Sequence, residues 1–165
     1  MKNKNVVAVI VTYNPCFIAL DKLVEAVSPQ VGGVVLVDND SSLQAEILVR
    51  YSKIHQAEFV RLKENFGIAY AHNKGIEWAH DNGADYVLIL DQDSVPATDM
   101  VHLLLTNALN STKKGAEVAA IGPSYEDPRT KTHSFFMTSR FGFPHRYKPQ
   151  QDNSPKKTSF GEFLN

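Results

Sequence analysis

"VVAVIVTYNP", residues 6–15, decides the fold. Val6 to Val11 run without a polar residue, and Thr12, Tyr13, Asn14 and Pro15 then end the run. A strand with one wet face alternates apolar and polar residues, whereas an unbroken β-branched run of this length is covered on both faces, as in a parallel sheet. Two more stretches read the same way, "GVVLVDND" (33–40) and "ADYVLILDQD" (84–93). "AEFVRLKE" (57–64) alternates more and is expected nearer an edge, and "EVAAIGP" (117–123) is a fifth candidate strand ending at Gly122 and Pro123.

Between the strands the period changes. "FIALDKLVEAVS" (17–28) puts Ile18, Leu20, Leu23, Val24 and Val27 on one helical stripe. "LQAEILVRYSKIH" (43–55) follows Ser41 and Ser42, with Glu46 spaced for a capping box. Residues 67–83 and 97–115 also read as helices, each closing near a glycine. Strands alternating with helices over short connections give an α/β fold: a mostly parallel, Rossmann-like sheet with helices on both faces.

Composition narrows the partners. The 165 residues hold 43% apolar and 21% charged side chains at net charge −1, the profile of one ordinary globular domain with no global pull toward nucleic acid. Cys16 is the single cysteine, so no internal disulfide forms, and it is expected to be a small buried or half-buried thiol. The apolar run at the N-terminus is too short for a signal peptide, and no stretch approaches a spanning helix. A cytoplasmic protein is expected, with any membrane role peripheral. Residues 126–165 differ: seven Lys/Arg against four acids, and four of the eight prolines. This divides the chain into a domain over 1–125 and a basic, Pro-containing region over 126–165, with 146–159 expected as an exposed loop.

Ligands of parallel α/β sheets lie beyond the carboxyl ends of the strands. Those ends carry Thr12-Tyr13-Asn14-Pro15, Asp38-Asn39-Asp40-Ser41 and Asp91-Gln92-Asp93-Ser94. On an extended strand Asp91 and Asp93, two apart, point the same way. Paired carboxylates repel unless a cation balances them, and Mn2+ or Mg2+, completed by phosphate oxygens and water, suits such a pair. Turn chemistry after a strand is the plainer account of the same residues.

Four blocks in order, "VIVTYNP", "VVLVDNDS", "NFGIAYAHNKGIEWA" and "YVLILDQDSVP", closely resemble the N-terminal half of family 2 inverting glycosyltransferases, nearest to bacterial rhamnosyltransferases of surface-polysaccharide assembly. The resemblance covers roughly residues 5–125 and implies a nucleotide-diphospho-sugar transferase fold. It implies that Thr12 and Tyr13 cradle base and ribose, with Asn14 beside them and Pro15 shaping the loop. Asp38 would accept a hydrogen bond from a uracil or thymine N–H, supported by Asn39 and Ser41. Asn65, Gly67 and Asn73 would line the nucleotide pocket, Asp91 would contact ribose or sugar, and Asp93 would ligate the metal. The implied partners are a dTDP- or UDP-linked sugar and a saccharide or lipid-linked acceptor, with peripheral membrane association through that acceptor. The carboxylate base that activates the acceptor lies in the family's second half, and none of Glu126, Asp127, Asp152 and Glu162 sits in a matching motif, so the chain reads as truncated and the base is not identified. A missing half would leave apolar surface and favour a homo-oligomer.

Two other readings fit some of the residues. One is a nucleotide-sugar-binding fragment or subunit without catalysis of its own. The other is a Mg2+-dependent phosphatase of the haloacid-dehalogenase type, whose motif "LDQDSV" also resembles, though that motif opens its domain and here about 80 residues precede it. His72 reads as a surface or packing residue with a diphosphate contact as the alternative, and Trp78 reads as core. His133 and His145 lie in the basic tail.

Overall fold

The computed structural model describes residues 5–52, 57–123, 136–140 and 143–147. The chain falls into two compact units, 1–99 and 100–165. Their boundary precedes the compositional one after residue 125, which lies inside the second unit.

The first unit is an α/β layer structure. Its strands are β1 (Val6–Thr12), β2 (Gly33–Asp38), β3 (Ala57–Arg61) and β4 (Tyr86–Asp91), and its helices are α1 (Phe17–Val27), α2 (Gln44–Tyr51) and α3 (Ile68–Asp81). The sheet order is β3-β2-β1-β4 and every pairing is parallel. Every residue of β1 and β2 is buried, as their unbroken apolar runs require. Residue parity sorts the core into two faces. Ala8, Ile10, Val34 and Leu36 pack with Leu20, Leu23, Val24 and Val27 of α1 and with Ile47 and Tyr51 of α2. Val7, Val9, Val11, Val35 and Val37 pack with Ala71 and Ala79 of α3, and Trp78 joins this cluster as expected. Gly75 brings α3 close to the sheet, because a Cβ there would stand 2.3 Å from Val9 Cγ1.

Strand order explains which face each helix takes. The chain steps outward from β1 to β2 to β3, then returns across to β4 on the other side of β1. Crossovers of one hand put α1 and α2 on one face and α3 on the other. Between β1 and β4 the order reverses, and sheets of this class carry their ligand crevice beyond the carboxyl ends at such a point.

Several expectations are corrected. β4 is half-covered: Leu88 and Leu90 join the α1–α2 face, while Val87 and Ile89 on the α3 side are 36% and 48% exposed. The apolar run was right for a strand and wrong for full burial, because α3 lies mainly over β1 and β2. β3 is an edge strand, as its alternation required. Residues 117–123 form no strand. Helix α2 starts at Gln44 without a side-chain cap, and no capping box forms, because Ser41 and Ser42 are committed to Asp38 and Asn14. Cys16 is exposed at the start of α1.

The second unit contains α4 (Met100–Lys113) and an antiparallel pair, β5 (Phe136–Arg140) with β6 (Phe143–Tyr147). The sequence reading anticipated α4 and missed the strand pair. The remaining part of the expected loop over 146–159 lies outside the described residues. The side chains of His133 and His145 do as well.

Candidate functional site

The site is built where the strands stop. Thr12 ends β1 and Asp38 ends β2, opposite each other in register, and both are 0% exposed. A buried carboxylate needs donors. Thr12 Oγ1 donates to Asp38 Oδ1 at 2.8 Å, Ser41 Oγ to the same oxygen at 2.5 Å, and the Ser41 N–H to Oδ2 at 2.9 Å. Ser41 Oγ also accepts the Asn14 N–H at 2.8 Å, and Asn14 Oδ1 accepts from both the N–H and the hydroxyl of Ser42. This web holds Asn14 and Asp40 in left-handed backbone, at φ 46 and 68. It also covers Asp38. A base N–H that reaches this carboxylate must first displace part of that cover, since Asp38 is fully buried.

A second bracket ties the β2 loop to the loop before α3. Asn39 Nδ2 donates to Asn65 Oδ1 at 2.8 Å, and Asn39 Oδ1 accepts the Phe66 N–H at 3.1 Å. Asn65 Oδ1 further accepts the Gly67 N–H at 3.0 Å. Gly67 sits at φ 86 and ψ 162, a backbone region that L side chains avoid, although no atom stands within 4 Å of a Cβ added there. Conformation, not space, requires the glycine.

A third bracket crosses the crevice. Gln92 Oε1 accepts the Tyr13 N–H at 2.9 Å, and Gln92 Nε2 donates to the Tyr13 carbonyl at 3.4 Å. Strand β4 ends at Asp91, and the Ser94 N–H bonds back to the Asp91 carbonyl at 3.1 Å. Asp91 therefore opens a turn that contains Asp93, and the strand period does not set their relative direction, contrary to the two-residue reading of the sequence. Both are exposed, and neither carboxylate has a hydrogen-bond or ion-pair partner among the described residues.

The expected site residues thus separate into two groups. Thr12, Pro15, Asp38, Asn39 and Ser41 are buried and shape the rim, while Tyr13, Asn14, Asn65, Gly67, Asp91 and Asp93 are exposed on it; Asn73 is exposed on α3, and no hydrogen bond joins it to these residues. Sequence reasoning missed Gln92, which looked like a spacer between acids. The signal was its type: a primary amide can pair with both halves of a peptide unit. His72 Nε2 is the one buried side-chain polar atom without a hydrogen-bond partner among the described residues. No group of three His, Cys, Asp or Glu side chains gathers among those residues to hold a metal alone. Two free acids at the crevice fit an ion that takes one or two carboxylates and draws the rest of its shell from a bound phosphate and water.

The model of the family described as glycosyl transferase family 2 matches residues 7–163. The chain belongs to glycosyl transferase family 2. Within that family, the dTDP-rhamnosyl transferase RfbF of Shigella flexneri is 33% identical over 133 residues, 81% of this chain and 42% of that protein. The crystal structure of residues 1–349 of TarS from S. aureus matches with a TM-score of 0.55 at 18% identity, over 66% of this chain and 33% of that one. This second likeness shows the fold, that of nucleotide-diphospho-sugar transferases. The chain therefore spans well under half the length of either protein. Family membership sets aside the phosphatase reading of "LDQDSV", and the structure agrees, since that motif follows the fourth strand and not the first.

Proposed function

We propose that this chain is the donor-binding half of an inverting glycosyltransferase that takes a dTDP- or UDP-linked sugar. Rhamnose is the sugar its resemblance to RfbF favours. One observation carries the reading: two acids without a side-chain partner among the described residues stand at the β1–β4 crevice, beside a rim of ordered amides and hydroxyls. Tyr13, Asn65, Gly67 and Asn73 would line the nucleotide, and Asp38 would read the base N–H once Ser41 yields its place. Asp91 would hold ribose or sugar, and Asp93 would hold Mn2+ or Mg2+ against the diphosphate, with His72 within the same helix turn as Asn73. The bound ion supplies neutralisation of leaving-group charge. The chain's own residues orient the diphosphate, so that an acceptor hydroxyl attacks the anomeric carbon from the opposite side. The acceptor would be a saccharide or lipid-linked sugar of surface-polysaccharide synthesis, met at the cytoplasmic face of the membrane. No helix among the described residues is long and apolar enough to cross a membrane, which suits that peripheral role. Transfer itself is proposed for the whole protein.

The test is calorimetric titration of the chain with UDP, dTDP and GDP, with and without Mn2+, repeated on Asp93→Asn. The expected outcome is binding of UDP or dTDP that the metal strengthens and the variant loses. A folded chain that binds none of the three would overturn the reading.

A further inference from the structure

We infer that Gln92 is a positioning residue that couples the nucleotide loop to the metal-bearing turn. The inference rests on the donor-binding reading above and adds to it a residue with no assigned role.

Strands β1 and β4 pair through Val11 and Asp91. One residue further, the β4 backbone leaves the sheet in the Asp91–Ser94 turn, so the ladder stops. Tyr13 is then left with an N–H and a carbonyl facing the gap. The Gln92 amide fills it, accepting from one group at 2.9 Å and donating to the other at 3.4 Å. A side-chain amide has the donor and acceptor of a peptide unit, so Gln92 adds one more rung to the β1–β4 pairing after the main chain has turned away. That rung lies where the strand order reverses and joins positions 79 residues apart in sequence.

The partners make the rung more than structural. Its one end is the backbone of Tyr13, whose half-exposed ring stands on the rim. Its other end lies between Asp91 and Asp93, whose carboxylates have no hydrogen-bond or ion-pair partner among the described residues. Displacing the nucleotide loop therefore displaces the acids, and the reverse holds by linkage. Gln92 sets how much the ion strengthens nucleotide binding, acting through Asp93 without touching either ligand.

The test measures dissociation constants for dTDP and UDP by calorimetry, with and without Mn2+, in the wild type, Gln92→Met, Gln92→Glu, Asp93→Asn and the double variant Gln92→Met/Asp93→Asn. Melting by circular dichroism establishes that each is folded. The quantity read is the ratio of metal-free to metal-bound dissociation constants. Gln92→Met is expected to cut that ratio about 10-fold, within the usual range of site–site coupling, while metal-free binding weakens much less. Gln92→Glu keeps the acceptor for the Tyr13 N–H and should restore part of the ratio. The double variant should match Asp93→Asn, because Gln92 acts through that acid. Amide exchange at Tyr13 should quicken in Gln92→Met and less so in Gln92→Glu. An unchanged ratio in folded Gln92→Met would sink the inference and leave the donor-site reading standing. A wild type whose nucleotide binding ignores Mn2+ would overturn the inference together with the metal role of Asp93, and a folded wild type that binds no nucleotide would overturn the donor-site reading as well.

Discussion

At Gly75 the α3 backbone lies so near the sheet that one methyl group would meet Val9 Cγ1 at 2.3 Å and Val37 Cγ2 at 3.1 Å. Those valines belong to the two fully buried strands and have little room to yield. Gly75→Ala should lower stability by about 1–3 kcal/mol, the usual cost of overpacking, despite alanine's better helix propensity. A urea titration that found the variant equal to wild type would show the helix able to lift off the sheet. Thr12 makes the complementary case, where shape is kept and a hydrogen bond is lost. Thr12→Val removes one donor from the buried Asp38 carboxylate and leaves Ser41 to serve it. A loss of about 1–3 kcal/mol is expected from the same titration, with nucleotide affinity falling as the rim loosens. Polar residues at strand ends were legible as a site from sequence because parallel sheets present them on one rim. Their division into buried scaffold and exposed contact was not. It depends on which loop's hydroxyl happens to reach Asp38, and no periodicity encodes that.

Helices α1 and α2 lie side by side on one face, and a surface cluster fastens them. Arg50 forks onto both oxygens of Asp21, Tyr51 donates to Asp21 Oδ1 at 2.8 Å, and the guanidinium sits 5.3 Å above the Phe17 ring. The Arg50 hydrogen bond holds the Asp21 carboxyl below its ordinary value of 3.8, against a smaller opposing effect of burial. Burial, then the bond to Asp21, pushes the Tyr51 phenol up. A carboxyl depressed on folding stabilises the native state above its unfolded value and loses that contribution as pH falls through the folded one. Wild type should therefore lose stability below about pH 4 more steeply than Asp21→Asn, which near neutrality should be weaker by only about 0.5–1 kcal/mol because the pair is partly exposed. Acid melts of the two proteins compare the slopes directly. Element type was legible where apolar residues ran unbroken, as in β1 and β2, or recurred at helical spacing, as in α1. It misled where a pattern needs a partner: "EVAAIGP" has strand composition, yet a strand exists only when another pairs with it, and in this structure 117–123 does not pair. The β5–β6 pair went unread, and its last two residues, Arg146 and Tyr147, fall in the stretch expected as a loop.

Across the whole first unit, protection should grade from the centre outward. Amides of β1 and β2 should exchange slowest, and those of the edge strand β3 and of half-covered β4 sooner, because local opening follows burial and contact density. Hydrogen exchange by mass spectrometry reads this gradient, and equal protection in all four strands would contradict the layering. Ile89, 48% exposed, should tolerate Ile89→Thr within about 0.5 kcal/mol. The sheet class and the helices on both faces could be read before any coordinates, because a continuous apolar strand leaves few other architectures. The strand order could not, since "VVLV" and "YVLI" compete equally for the side of β1, and the handedness of the crossovers settles the matter only in three dimensions. The distance in sequence between Tyr13 and Gln92 has a consequence for synthesis. At ribosomal speeds of about 5–20 residues per second, the 79 residues between them take roughly 4–16 s to appear. During that interval β1 and β2 can already pair, yet the crevice has one wall. A nascent chain therefore has only one wall of the proposed donor site until β4 has emerged, and a ligand that needs both walls can assist only the last step of its folding.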